Sequence, residues 1–335
     1  MIKKWISLLT AAMLVFSLAG CGNSTETQPN NDSAVPSSET SVAREFGTTI
    51  EEIPDEYKTA ASEQGKIVRF DYPTSAEDKY AYVYTPYGYS EDNCYDILYV
   101  MHGTGGSPEF LFGSSPDSSE MKNVIDHLIE NGEMRPMLIV TPTFYTEKNH
   151  NINVNVSWDA VREFPDELVN YLMPAVESNY STYAKTADAE GFKESREHRA
   201  FSGFSIGSVT TWLVFEQCLP YFHDFIPISC DSWTMGQYGG LSQSEQTAEA
   251  LANAVTAQGY TSEDFFIYAV TGSDDFAKPM MSAQINAMKE LEMFRFTKTS
   301  RESGNLNYLV KEGGTHELRY VQMYLYNILP DLWPV

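Results

Sequence analysis

Positive charge is scarce in this chain. Only 22 Lys and Arg stand against 46 Asp and Glu in 335 residues, a formal net charge of −24. Such a surface repels nucleic acid phosphates and anionic lipid headgroups, so no nucleic acid partner is expected. Cysteine is scarce too: beyond Cys21 there are only Cys94, Cys218 and Cys230. The odd number leaves at least one without a partner within the chain, and none has CxxC or Cys/His metal spacing. No metal and no cofactor are expected. Long apolar runs are also missing, since "WISLLTAAMLVFS" falls short of the ~20 residues that a spanning helix needs. There is no internal repeat.

That short apolar run, preceded by Lys3 and Lys4, has the form of a secretory signal over residues 1–20. Leu18-Ala19-Gly20-Cys21 resembles the bacterial lipoprotein box, in which the cysteine is lipidated and becomes the mature N-terminus. The expectation is an extracytoplasmic protein that meets the membrane only through the lipid on Cys21. "GNSTETQPNNDSAVPSSETS" follows without a Lys or Arg and with almost nothing apolar, so residues 21–47 read as anchor and linker.

Residues 48–335 alternate between strand and helix patterns and read as one α/β domain, expected to be a monomer. "GKIVRFDY" and "YAYVYTP" have the β-branched and aromatic content of antiparallel edge strands, whereas "YDILYVMHG" reads as a strand buried on both faces. "PMLIVTPTF", "HRAFSGFS", "FHDFIPISCD", "FFIYAVTGSDD" and "LNYLVKEGG" are further strands, separated by helical stretches. One of these, "WDAVREFPDELVNYLMPAVESNY", is expected to break or kink at Pro165 and Pro174. Strands alternating with helices imply a mostly parallel sheet covered on both faces.

In such sheets ligands bind beyond the carboxyl ends of the strands, and chemistry-bearing residues recur at those ends. Gly203-Phe204-Ser205-Ile206-Gly207 joins a strand to a helix. A nucleophile on so tight a turn needs small neighbours two residues before and after, and the helix N-terminus favours developing negative charge. Asp274 and Asp275 follow a later strand, and His316 follows the last. A serine hydroxyl needs a base, and the base works best when a carboxylate fixes its tautomer. Ser205, aspartate and His316 stand in the chain order of the α/β-hydrolase triad. His316 is the only histidine after the acid; His127, His198 and His223 read as structural or surface residues, and His150, in a polar loop, stays open. One oxyanion donor is the N–H of Ile206, and the glycine-rich "MHGTGGS" after the first buried strand offers the second.

"YVMHGTGGSPEFLF", "FPDELVNYLMPAVESNYSTYA", "REHRAFSGFSIGSVTTW", "FIPISC", "TGSDDF" and "EGGTHE" together resemble the feruloyl esterases of carbohydrate esterase family one, close to the esterase D-like hydrolases. The resemblance runs over most of residues 65–330. It implies an α/β-hydrolase fold and cleavage of acyl esters, typically feruloyl or acetyl groups on xylan, with an acylated polysaccharide or small ester as substrate. The family pattern Gly-Thr-x-Asp falls on Gly272-Ser273-Asp274-Asp275, which implies Asp275 as the acid, with Asp274 next and Asp231 as a more distant rival. The family's second oxyanion donor maps to Thr104. Two departures stand out: "KTADAEGFKES" lengthens what reads as a surface loop away from the site, and Glu317 follows His316 where the family often has Asp.

Trp158, read as lying in a loop, and Trp233, just after a strand, are candidate flat surfaces for an aromatic acyl group or a sugar. The same fold also suits an acetylxylan or short-chain carboxylesterase, or an acyltransferase. A glycan-binding lipoprotein without chemistry is the alternative from another class.

Overall fold

A computed structural model describes residue 46 and residues 49–150 and 153–335. The signal sequence, Cys21 and the linker up to residue 45 lie outside the described residues; Phe46 packs edge-on against Phe266 at 5.9 Å. Eight strands form one sheet: β1 (Lys66–Pro73), β2 (Asp78–Thr85), β3 (Asp96–Met101), β4 (Met137–Thr141), β5 (Arg199–Phe204), β6 (Asp224–Ile228), β7 (Phe266–Gly272) and β8 (Leu306–Lys311). Their spatial order is β1-β2-β4-β3-β5-β6-β7-β8. β1 and β2 are antiparallel, but only β1 is an edge strand: β2 lies between β1 and β4, and its pairing with β4 is antiparallel too. From β4 to β8 every pairing is parallel. The central strands β3, β4, β5, β6 and β7 are buried along their whole length, which is why they read as unbroken apolar runs.

The helices are α1 (Glu120–Glu130), α2 (Val154–Glu167), α3 (Met173–Glu177), α4 (Ala189–Glu194), α5 (Ile206–Cys218), α6 (Gly239–Ser242), α7 (Ser244–Ala257), α8 (Lys278–Met288) and α9 (Leu318–Leu332). One core gathers Phe164, Val209, Phe215, Leu251 and Ile285 from α2, α5, α7 and α8 on one face of the sheet. The other gathers Val124, Leu128, Leu325 and Leu329 from α1 and α9 on the opposite face. α5 is buried on nearly every side.

Two local expectations need correction. The long helical stretch does not end at Pro165, which sits inside α2; a five-residue π-turn, Leu168–Leu172, lies between α2 and α3, just ahead of Pro174 in the first turn of α3. A proline lacks only one donor, and a wider turn reroutes the neighbouring carbonyls without ending the helix. The segment 185–195 is also more than a surface loop. Asp188 caps α4 by accepting from the N–H groups of Glu190 and Gly191, and Phe192 is buried in the core beneath. Because it leads into the start of β5, it lies at the end of the sheet opposite the residues described next.

Candidate active site

β5 ends at Phe204, and Ser205 turns the chain into α5 with φ 59° and ψ −121°. A non-glycine residue in this region carries on the order of 1–3 kcal/mol of strain. The surroundings hold it there. Its N–H donates to the Ile228 carbonyl (2.9 Å), and its own carbonyl accepts from the N–H groups of Ser208 (2.8 Å) and Val209 (3.2 Å). The flanking glycines are required by space: a Cβ on Gly203 would lie 2.1 Å from the Gly207 oxygen, and one on Gly207 2.4 Å from the Met101 oxygen. Ser229 repeats the arrangement one strand over, with φ 55° and its N–H on the Val270 carbonyl.

The loops after β7 and β8 meet backbone to backbone. The Ser273 N–H donates to the Lys311 carbonyl and the Asp274 N–H to the Gly314 carbonyl, and a Cβ on Gly272 would lie 2.1 Å from that Gly314 oxygen. This contact brings His316 to Asp275. Its Nδ1–H faces both carboxylate oxygens, at 2.8 and 3.0 Å, and Oδ1 also accepts from the Ala277 N–H (2.8 Å). Burial alone would raise the Asp275 pKa; the bonds from His316 and Ala277 outweigh it and hold the carboxyl below its ordinary value. With Nδ1 committed, Nε2 is the free nitrogen of the ring. The imidazole contacts two phenyl rings, Phe204 at 4.4 Å and Phe276 at 4.2 Å between centroids, both tilted.

The glycine-rich loop is positioned by a histidine not singled out from the sequence. His102 is fully buried; Nδ1 donates to the Gly103 carbonyl and Nε2 accepts from the Thr143 hydroxyl, both at 2.7 Å. Burial pushes its pKa down to about 3, so the ring is neutral at ordinary pH. Further along, the Gly105 N–H donates to the Tyr145 hydroxyl (2.9 Å), which pairs with Ser157 Oγ (2.5 Å). The loop backbone is pressed against the serine: a Cβ on Gly103 would lie 3.2 Å from Ser205 Cβ. Gly103, Thr104, Ser205, Ile206 and His316 line a single cavity of about 400 Å³. Val154, Trp233, Tyr238 and Met280 form its apolar wall. Among the described residues no cluster of His, Cys, Asp or Glu is arranged to hold a metal.

Other candidates are placed elsewhere. Asp274 is exposed and accepts from the Ser273 hydroxyl. Asp231 is buried, accepts from the Trp233 indole N–H and the Leu241 N–H, and has its pKa raised by burial; it does not meet His316. Trp233 lines the cavity. Trp158 does not: Asn153 caps α2 ahead of it, so it lies in a helix and not in a loop, packed edge-on behind Trp233 at 5.3 Å. It faces a separate cavity with Arg162 and Glu216. His150 sits on a polar cavity of about 320 Å³ with Tyr145 and Glu147, on the far side of the glycine-rich loop. His127 stacks on Tyr57, while His198 and His223 pair with Asp96 and Asp224. Cys218 and Cys230 are free thiols. Sequence pattern does not single out Phe204, Phe276 or His102, whose only signal is adjacency to motif residues in "SGFS", "SDDF" and "MHG".

No family model matches the chain. Among solved structures, it is 37% identical to a serine-to-alanine mutant of the feruloyl esterase module from Clostridium thermocellum, complexed with sinapinate. That match has a TM-score of 0.75 and covers 87% of this chain and 95% of that module. The chain belongs to the feruloyl esterase family. This feruloyl esterase relative is accordingly an α/β-hydrolase and a carboxylic ester hydrolase. It is also 38% identical over 277 residues to endo-1,4-beta-xylanase Y of Acetivibrio thermocellus, a match covering 83% of this chain but only 24% of that longer protein. A ferulic acid esterase from the anaerobic fungus Anaeromyces mucronatus shares the fold alone, at 17% identity and a TM-score of 0.60 over 83% of this chain and 94% of that one.

Proposed function

We propose that this protein hydrolyses feruloyl esters on xylan, with Ser205 as nucleophile, His316 as base and Asp275 as the acid that orients it. The observation that carries the reading is the strained Ser205 facing the same cavity as His316, whose Nδ1 is committed to Asp275. His316 Nε2 takes the Ser205 proton as Oγ attacks the ester carbonyl carbon, and the carbonyl electron pair moves onto oxygen. The N–H groups of Thr104 and Ile206 receive that oxyanion; one such donor typically contributes ~10²–10³ in rate. Collapse of the intermediate expels the sugar alkoxide, which takes the proton from His316 and leaves an acyl-enzyme. Water repeats the sequence, releases the carboxylic acid and restores Ser205.

Asp275 stays ionised throughout, and its lowered pKa supports that role. The neutral His102 keeps a second charge out of the oxyanion loop. The apolar wall with Trp233 and Tyr238 favours an aromatic acyl group over acetyl, because a small acyl group would leave most of it uncovered. The same proposal places the enzyme outside the cytoplasm, tethered by a lipid on Cys21. Among the described residues no helix is long and apolar enough to cross a membrane.

Hydrolysis of methyl ferulate and of 4-nitrophenyl acetate by the whole protein, beside Ser205→Ala, tests the reading. Feruloyl turnover is expected in the membrane fraction, and the variant should lose about 10⁴-fold or more in kcat. Turnover of acetate alone would move the substrate to short acyl esters. No serine-dependent turnover of either ester would overturn the proposal.

A further inference from the structure

We propose that the exposed face of Phe276 is a sugar platform, on which the neutral pentose carrying the ester stacks while its acyl group occupies the cavity. The inference rests on the esterase reading and adds where the leaving group lies. Phe276 is 64% exposed, although both of its neighbours, Asp275 and Ala277, are buried. Nothing in the described residues packs against its outer face strongly enough to hide it. Its ring contacts the His316 imidazole at 4.2 Å between centroids, tilted by 43°.

The chemistry places the sugar beside that ring. The leaving oxygen must take its proton from His316, and Nδ1 is held by Asp275, so the oxygen comes within hydrogen-bond reach of Nε2. The sugar carbon bonded to that oxygen is then in contact range of whatever covers the imidazole. Two rings do so. Phe204 is only 9% exposed, and its ring stacks on Phe110 at 5.8 Å and 8°. Phe276 alone has a broad free face, and the C–H face of a pentose is the apolar surface that matches it.

Charge selects among sugars. Asp274, beside Asp275, is an exposed carboxylate, whereas Glu317 is paired with Arg319 at 2.9 Å; the chain carries −24 overall. A uronic acid would be repelled there, and a neutral pentose would not. Phe276 lines the cavity together with Trp233 and Tyr238 and is also 64% exposed, so its ring stands at the boundary between the acyl end and the sugar end.

The test compares a feruloyl arabinose ester with methyl ferulate, which has the same acyl group and no sugar. For Phe276→Ala, the ratio of kcat/KM on the sugar ester to that on the methyl ester should fall about tenfold, mostly through KM. Phe276→Tyr should restore the ratio, since a phenol ring presents the same face. An unchanged ratio overturns the inference, whether both esters are unaffected or both fall by one factor; the latter would show that Phe276 serves His316 or the acyl wall. If the unmodified protein turns over neither ester, the esterase reading itself has failed, and the inference falls with it.

Discussion

Asp96, Arg199 and Asp224 open β3, β5 and β6, and each is buried with a charged partner: Arg135, Glu177 and Arg301. Ser205, Ser229, Asp275 and His316 stand at the other ends of β5, β6, β7 and β8, where backbone strain and an open cavity replace ion pairs. Arg199 is the clearest case at the first end. Its Nε and Nη2 bind both oxygens of Glu177 at 2.8 and 2.7 Å, and Glu177 also accepts from the Tyr99 hydroxyl. At the other end the His316–Asp275 pair keeps a ring nitrogen free for chemistry. Each strand therefore divides its labour along its length. One end holds the sheet together, and the other tolerates conformations that contribute nothing to stability.

The sharpest way to break this contrast is at the functional end. Asp275→Asn preserves shape but removes the charge and permits the wrong histidine tautomer. It should lower kcat about 10⁴-fold while leaving the denaturant midpoint nearly unchanged, as steady-state kinetics beside urea unfolding would show. Glu177→Ala should do the reverse. It leaves Arg199 buried without a counter-charge and should cost about 3–5 kcal/mol in stability. The folded fraction should keep its kcat/KM at 25 °C within about twofold, because Glu177 lies at the far end of the sheet. If Glu177→Ala instead removed activity from a protein that unfolds normally, the division of labour would be wrong.

A subtler effect sits at the functional end, just past β3. His102 has a folded-state pKa of about 3, well below its ordinary value, because burial excludes its charged form. The unfolded chain binds this proton more readily, so stability falls as pH drops from about 6.5 towards 3. Between pH 7 and pH 5 this one group should remove on the order of 2 kcal/mol. Unfolding curves at the two values should therefore diverge less for His102→Gln than for the unmodified chain. Equal divergence would mean that His102 titrates normally and does not lock the glycine-rich loop as a neutral ring.

Much of the parallel sheet was legible because fully buried strands have no alternation to disguise them, and "YDILYV" and "FIYAVTG" admit few other readings. The serine turn was legible because its tightness demands glycine on both sides. Other features were hidden for physical reasons. Asp274 and Asp275 are adjacent, and only the contact between the β7 and β8 loops decides which carboxylate turns inward. Trp158 looked like a loop residue because its helix is capped by an asparagine within a polar run, "NHNINVNVS". Phe192 lay in a segment rich in charge, and one buried ring among polar residues leaves no periodic trace. Phe276 escaped notice because an aromatic beside an acid looks like any core residue until its exposure is known.

The glycine-to-glycine contact between the β7 and β8 loops has a consequence for how the site comes into being. It makes the Asp275–His316 couple a local product of the last part of the chain, while Ser205 and the loop around Thr104 belong wholly to the earlier part. A chain opened in the turn after α7 would divide the site, with the nucleophile and oxyanion loop on one piece and the acid and base on the other, each chemically idle alone. Ester turnover by the mixed halves would then be a clock for their assembly, starting only when β7 found β6.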